Sequence, residues 1–200
     1  MKTLAVYCGA APGADPVYAD AARALARSLV EQNIGLVYGG GKVGLMGVIA
    51  DEVLRLGGEA TGVIPRALME REVGHAGLTR LFVVKDMHER KAMMSDLSDG
   101  FIAMPGGMGT LEELFEMVTW AQLGIHAKPI GLLNVNRFWD GLRAFVRHQC
   151  MQGFVRPEHE GLMLADSDPD ALIRQLRAAA PAAAVQAAVQ ADAAAKGLRG

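Results

Sequence analysis

Seven short apolar runs punctuate this chain, and helix-like stretches separate most of them: Leu4–Tyr7, Gly35–Tyr38, Ala60–Ile64, Leu81–Val84, Phe101–Met104, Pro129–Leu133 and a short Leu162–Leu164. An apolar run of this length, bounded by glycine or proline, reads as a buried strand. Strands that are apolar throughout belong to a parallel sheet covered on both faces, so an α/β fold with helices on both sides is expected. The intervening segments carry the helical period. Tyr18, Ala22, Leu25 and Leu29 follow Asp15-Pro16, a cap followed by proline at the first helical position. Further helices are expected over about 45–56, 87–97, 110–123 and 138–151, with a last one capped by Asp168-Pro169. Met87, Ala92 or Met93, and Leu97 are the inward positions expected of the third. Leu111, Leu114, Phe115, Val118 and Gln122 form the stripe of the fourth. Residues 66–79 read as a mixed, charged loop with one helical turn.

Two hundred residues suffice for one ordinary domain, here expected over 1–177. The alanine-rich stretch 178–200 lacks large apolar anchors and is expected to be a frayed helix or disordered tail. A net charge of -2 gives no global attraction to nucleic acid. Two cysteines, Cys8 and Cys150, cannot build a disulfide framework and suit a reducing cytoplasm. No Cys/His spacing resembles a zinc site, and no apolar run reaches the ~20 residues of a membrane helix. The N-terminal apolar stretch is too short for a signal-peptide core.

Glycine makes up 24 of the 200 residues, above a usual ~7%. Its clusters follow the first, second and fifth strands, the carboxyl edge where such sheets bind ligands. Pro105-Gly106-Gly107-Met108-Gly109-Thr110 runs from a strand into a helix, a turn whose backbone N–H groups suit a phosphate. It lacks the lysine of a Walker A loop and the spacing of a dinucleotide G-x-G-x-x-G. The same glycines would also serve a tight turn that needs them only for packing. Gly39-Gly40-Gly41-Lys42 to Gly47 is a second such turn, and the two together suit a nucleotide-sized cleft. Thr110 and Glu113 have the spacing of a capping box, so Glu113 reads either as a helix-stabilising residue or as a carboxylate beside a bound ligand. Glu112 reads as a solvated, dipole-matching residue. Arg90 and Lys91 follow the fourth strand, where cations oppose a helix dipole and suit phosphate or ribose oxygens. His88 and Cys8 read as structural.

These motifs, with Asp86–Lys91 and Thr119-Trp120-Ala121-Gln122-Leu123-Gly124-Ile125-His126, closely resemble the LOG (Lonely Guy) family over about residues 4–154. Its members are cytokinin riboside 5'-monophosphate phosphoribohydrolases, often labelled lysine decarboxylases. The resemblance implies a Rossmann-like, doubly wound parallel sheet, a homodimer, a nucleotide as small-molecule substrate, and hydrolysis of its N-glycosidic bond without cofactor or metal. It implies Arg90 and Glu113 as the catalytic pair. Around the nucleotide it implies Glu72, Lys91, Gly106, Gly107, Met108, Gly109, Thr110 and Thr119; Glu112, and Gly40 and Gly41 of the second turn, are further substrate-binding candidates. The chain departs from the family at Ala10 and Ala11, where serines are usual, and at Asn136–Trp139, where a glycine-tyrosine form is usual. A nucleotide or molybdenum-cofactor carrier on the same fold is the alternative. A paired arginine and glutamate favour the enzyme, because a carrier needs only the phosphate cradle. A pyridoxal-dependent decarboxylase would need an anchoring motif that the sequence does not show.

Overall fold

A computed structural model describes residues 1–69 and 74–180. Glu72 and most of the alanine-rich tail therefore lie outside the described residues. One sheet of seven strands, all parallel, runs in the order β4-β3-β2-β1-β5-β6-β7. The strands are β1 (Thr3–Tyr7), β2 (Gly35–Tyr38), β3 (Ala60–Pro65), β4 (Arg80–Val84), β5 (Phe101–Ala103), β6 (Ile130–Leu133) and β7 (Met163–Asp166). The helices are α1 (Val17–Glu31), α2 (Gly44–Arg55), α3 (Met87–Asp96), α4 (Met108–Gln122), α5 (Asp140–Met151) and α6 (169–180). A 3-10 turn, Arg66–Leu68, opens the segment between β3 and β4.

Alternation along β1 builds two cores. Leu4 and Val6 face α1, α2 and α6 through Leu25, Ile49 and Leu172. Ala5 and Tyr7 face α3, α4 and α5 through Met94, Leu114 and Val146. Full burial of a Leu, Ile or Phe side chain contributes ~1.5–3 kcal/mol, so these layers carry most of the stability. The strand order reverses between β1 and β5, the place where ligands of such sheets bind beyond the carboxyl ends of the strands.

Helix starts differ from expectation chiefly at two places. Thr110 is not a cap: α4 begins at Met108 behind an extended Gly107, with no side-chain cap. The capping-box assignment of Thr110 and Glu113 is thereby corrected, because both lie inside the first two turns and are buried. The segment expected to open the fifth helix at Phe138 turns instead. Asn136 and Arg137 take left-handed backbone, Asn134 accepts the Trp139 N–H, and α5 starts at Asp140. The expected cap before α6 forms, with Asp168 accepting the Ala171 N–H at 2.7 Å. Before α1 the boundary falls one residue later than expected, at Pro16, and Asp15 accepts the Val17 N–H at 2.9 Å from just outside the helix.

The third helix buries a different face from the one its apolar residues suggest. Arg90, Lys91, Met94 and Ser95 point inward on α3, while Ala92 and Met93 are only half-buried. On α4 the buried face is Thr110, Glu113, Leu114, Met117 and Val118, rotated from the expected stripe. Charged side chains occupy the inward positions on both helices, so hydropathy alone misplaces the face.

Candidate active site

Three loops interlock at the β1/β5 crevice. The Gly9 N–H donates to the Pro105 carbonyl at 3.1 Å, and the Leu45 N–H donates to the Gly9 carbonyl at 2.9 Å. The contacts are too close for side chains. A Cβ at Gly106 would stand 2.8 Å from the Gly9 nitrogen and 2.2 Å from Thr110 Oγ1, and one at Gly44 would stand 2.3 Å from the Ala10 carbonyl carbon. Gly107 and Gly109 differ. A Cβ on either would meet nothing within 4 Å, and both are exposed at the crevice. Packing requires Gly106; open access to the backbone is what Gly107 and Gly109 provide.

A cavity of about 320 Å³ occupies the crevice. The amino end of α4 forms one wall through Gly107, Gly109 and Thr110, with Arg90 and Glu113 beside it. The first N–H groups of a helix have no intrahelical acceptor and carry its positive dipole end, so this wall attracts an anion. Met46, Leu68 and Met87 line the cavity with apolar surface, and Cys8 and Ala10 close it. Among the described residues lining it, Glu113 is the one carboxylate.

Arg90 is 4% exposed and Glu113 8%, a depth at which ions persist only when paired. Arg90 Nη2 stands 3.8 Å from Glu113 Oε1 and donates to the Gly39 carbonyl at 3.2 Å. Asp86 caps α3 by accepting the Glu89 N–H, and Glu89 reaches back to accept the Lys85 N–H. This reciprocal cap fixes the first turn from which Arg90 projects.

Lys91 points elsewhere. Its ammonium pairs with Glu112 and, at 2.8 Å, with Glu116, tying α3 to α4. Burial lowers the Lys91 pKa, but those two carboxylates outweigh it and leave it raised. Thr119 sits on the exposed face of α4, where its hydroxyl donates to the Phe115 carbonyl. Gly40 and Gly41 are occupied by the segment before β4, through a hydrogen bond from the His75 N–H and a bridge to Gly74. The cavity thus gathers Arg90, Glu113, Gly107, Gly109 and Thr110. Lys91, Glu112, Thr119, Gly40 and Gly41 are not among its lining residues, and exposed Met108 flanks it. Sequence reasoning missed Met46, Leu68, Met87 and Glu116. The three apolar residues carry no chemical signature, but Glu116 lies one turn beyond Glu112 and Glu113 and was open to recognition.

Burial pushes the Cys8 thiol well above its ordinary range, and the Glu113 carboxylate adds to the effect. A thiol so placed stays protonated at neutral pH and is a poor nucleophile. Iodoacetamide at pH 8 is therefore expected to alkylate the partly exposed Cys150 and spare Cys8 in the native protein. Equal labelling of both, followed by peptide mass spectrometry, would overturn that assignment.

Fold and cavity together define a Rossmann-like α/β protein with an anion-attracting helix end and a buried Arg–Glu pair at its switch point. A family model described as "possible lysine decarboxylase" matches residues 46–176. The chain is 44% identical over 181 residues to the cytokinin riboside 5'-monophosphate phosphoribohydrolase LOG5 of Arabidopsis thaliana, covering 90% of this chain and 79% of that one. It is 43% identical over 177 residues to the cytokinin riboside 5'-monophosphate phosphoribohydrolase of Rhodococcoides fascians, covering 88% and 89%. The chain belongs to this LOG-type phosphoribohydrolase family, within the group that the broader model describes. Two solved structures share the fold. TM1055 superimposes with a TM-score of 0.67 at 20% identity, covering 88% of this chain and 99% of its own. The molybdenum cofactor binding protein of Rippkaea orientalis gives 0.64 at 20% identity, covering 88% and 95%. At that identity the likeness extends to the fold alone.

Proposed function

We propose that this protein hydrolyses the N-glycosidic bond of cytokinin riboside 5'-monophosphates, and of AMP, releasing the free base and ribose 5-phosphate. The observation that carries the reading is the buried Arg90–Glu113 pair beside an uncapped helix end in one cavity. Cleavage of a ribosyl–base bond builds positive charge on the ribose, as in glycoside hydrolysis. In this reading the α4 amino end holds the 5'-phosphate. Glu113 faces the developing charge and takes a proton from the attacking water. Arg90 orients that carboxylate, and the wall of Met46, Leu68 and Met87 receives the base. The alternative carrier reading has no use for a carboxylate that deep in the cavity.

The exposed Leu123, Ile125, Phe145, Met151 and Phe154 belong to α4, α5 and the segments after them. Both helices cover the same face of the sheet, and this apolar surface supports a homodimer as the working unit. No described helix is long and apolar enough to cross a membrane. Both cysteines are free thiols, which supports the reducing, cytoplasmic site we assign. The test is product analysis. Isopentenyladenosine 5'-monophosphate and AMP are expected to yield base and ribose 5-phosphate in equal amounts without added cofactor. Binding of both nucleotides with no base released would leave the carrier reading instead.

A further inference from the structure

His75 lies outside the cavity and outside every motif that the family resemblance rests on, yet it is 4% exposed and fully engaged. Its Nδ1 accepts the Gly77 N–H at 3.1 Å, which leaves the ring proton on Nε2. That nitrogen donates to Asp51 Oδ1 on α2 at 2.9 Å. The His75 backbone N–H donates to the Gly40 carbonyl at 2.9 Å, and the preceding Gly74 bridges to Gly41. The segment before β4 is thus pinned at once to α2 and to the glycine turn after β2.

That turn leads directly to the Arg–Glu pair. Gly40 has a φ of +78°, a backbone state that a side chain would strain. A Cβ there would also stand 3.2–3.3 Å from Ile64 and Val63. Next to it, the Gly39 carbonyl accepts from Arg90 Nη2, in a space so close that a Cβ at Gly39 would stand 2.0 Å from that nitrogen. The Gly39–Gly40 peptide is therefore one of the groups that seat the Arg90 guanidinium, and His75 holds the next carbonyl along.

We propose that His75, oriented by Asp51, is a positioning residue: it fixes the Gly39–Gly41 turn and through it the placement of Arg90 against Glu113. The proposal rests on the hydrolase reading for its effect on rate. A displacement of about 1 Å at a reacting group costs up to ~10²-fold in rate, so loss of the clamp is expected to lower kcat rather than weaken binding.

The experiment uses the full chain. Asp51 has 58% of its side chain exposed, so Asp51→Ala removes the ring's anchor with little risk to folding, and His75→Ala removes the ring itself. Both are expected to lower kcat for AMP about tenfold or more with KM within about threefold, measured on protein whose thermal melt shows it folded. Asp51→Asn keeps an oxygen acceptor for Nε2–H and is expected to stay within about threefold of wild type. Amide hydrogen exchange over residues 39–41 is expected to quicken in both alanine variants and not in Asp51→Asn. Wild-type kcat in Asp51→Ala overturns the proposal, as does a loss confined to KM or an Asp51→Asn variant as impaired as Asp51→Ala. If the wild type itself releases no base, the hydrolase reading is what fails. The exchange measurement then decides the clamp alone, and unchanged exchange in Asp51→Ala overturns it.

Discussion

Replacing Glu113 by Gln is expected to lower kcat about 10²–10³-fold while AMP affinity stays within a few-fold, the scale on which positioned acid–base and charge-stabilising groups act. Gln keeps the size and the hydrogen-bonding reach of Glu, so the change removes charge from a buried residue without opening a hole. The helix does not depend on it. Gly107 is the N-cap of α4, so the stability role that a capping box would give Glu113 does not exist. Arg90 is expected to keep its bond to the Gly39 carbonyl and to meet an amide oxygen where the carboxylate stood, so the pocket keeps its shape although the charge pair is lost. Single-turnover release of base, beside equilibrium binding of AMP to the same preparation, separates chemistry from affinity. A Glu113→Gln protein that turns over at the wild-type rate would move the catalytic group elsewhere.

Much of this architecture was legible because buried parallel strands announce themselves as unbroken apolar runs. All seven appear within a residue or two of where the runs place them, though β7 begins one residue late and extends to Asp166. The helices were harder, for a reason visible at α3. Hydropathy assigns its inward face to Met87, Ala92 or Met93, and Leu97, but the buried face carries Arg90 and Lys91. Successive residues on a helix diverge by about 100°, so Arg90 and Lys91 cannot share one target. The first enters the cavity, and the second turns to Glu112 and Glu116 on α4. The glycine-rich turn reads in sequence as a candidate anion site, but the division of labour among its glycines does not show there. Only their surroundings in three dimensions, Thr110 one turn on and Gly9 on the neighbouring loop, show that Gly106 is a packing residue and that Gly107 and Gly109 are open. The His75–Asp51 contact spans 24 positions and belongs to no motif, so three-dimensional structure is the only place it appears.

A nucleoside 5'-monophosphate is expected to be cleaved at least about 10²-fold more efficiently than the matching nucleoside, because two charge-assisted hydrogen bonds at ~1.5–3 kcal/mol each amount to two decades or more. The argument lies at the end of α4. Its first-turn N–H groups have no intrahelical acceptor, its N-cap offers no side-chain substitute, and its dipole favours a negative group there. The second glycine turn cannot serve equally. The amino end of α2 is covered by the loop after β1, with the Leu45 N–H already given to the Gly9 carbonyl. Gly107 offers a direct check, since its φ of -95° admits a side chain and an added methyl would touch no protein atom within 4 Å. Gly107→Ala should therefore fold normally while its methyl intrudes on the phosphate. The rate on isopentenyladenosine 5'-monophosphate should fall, and the already slow rate on isopentenyladenosine should change little. Comparable kcat/KM for the two substrates in the wild type would show that the α4 turn serves packing, and the phosphate would have to be held by other groups.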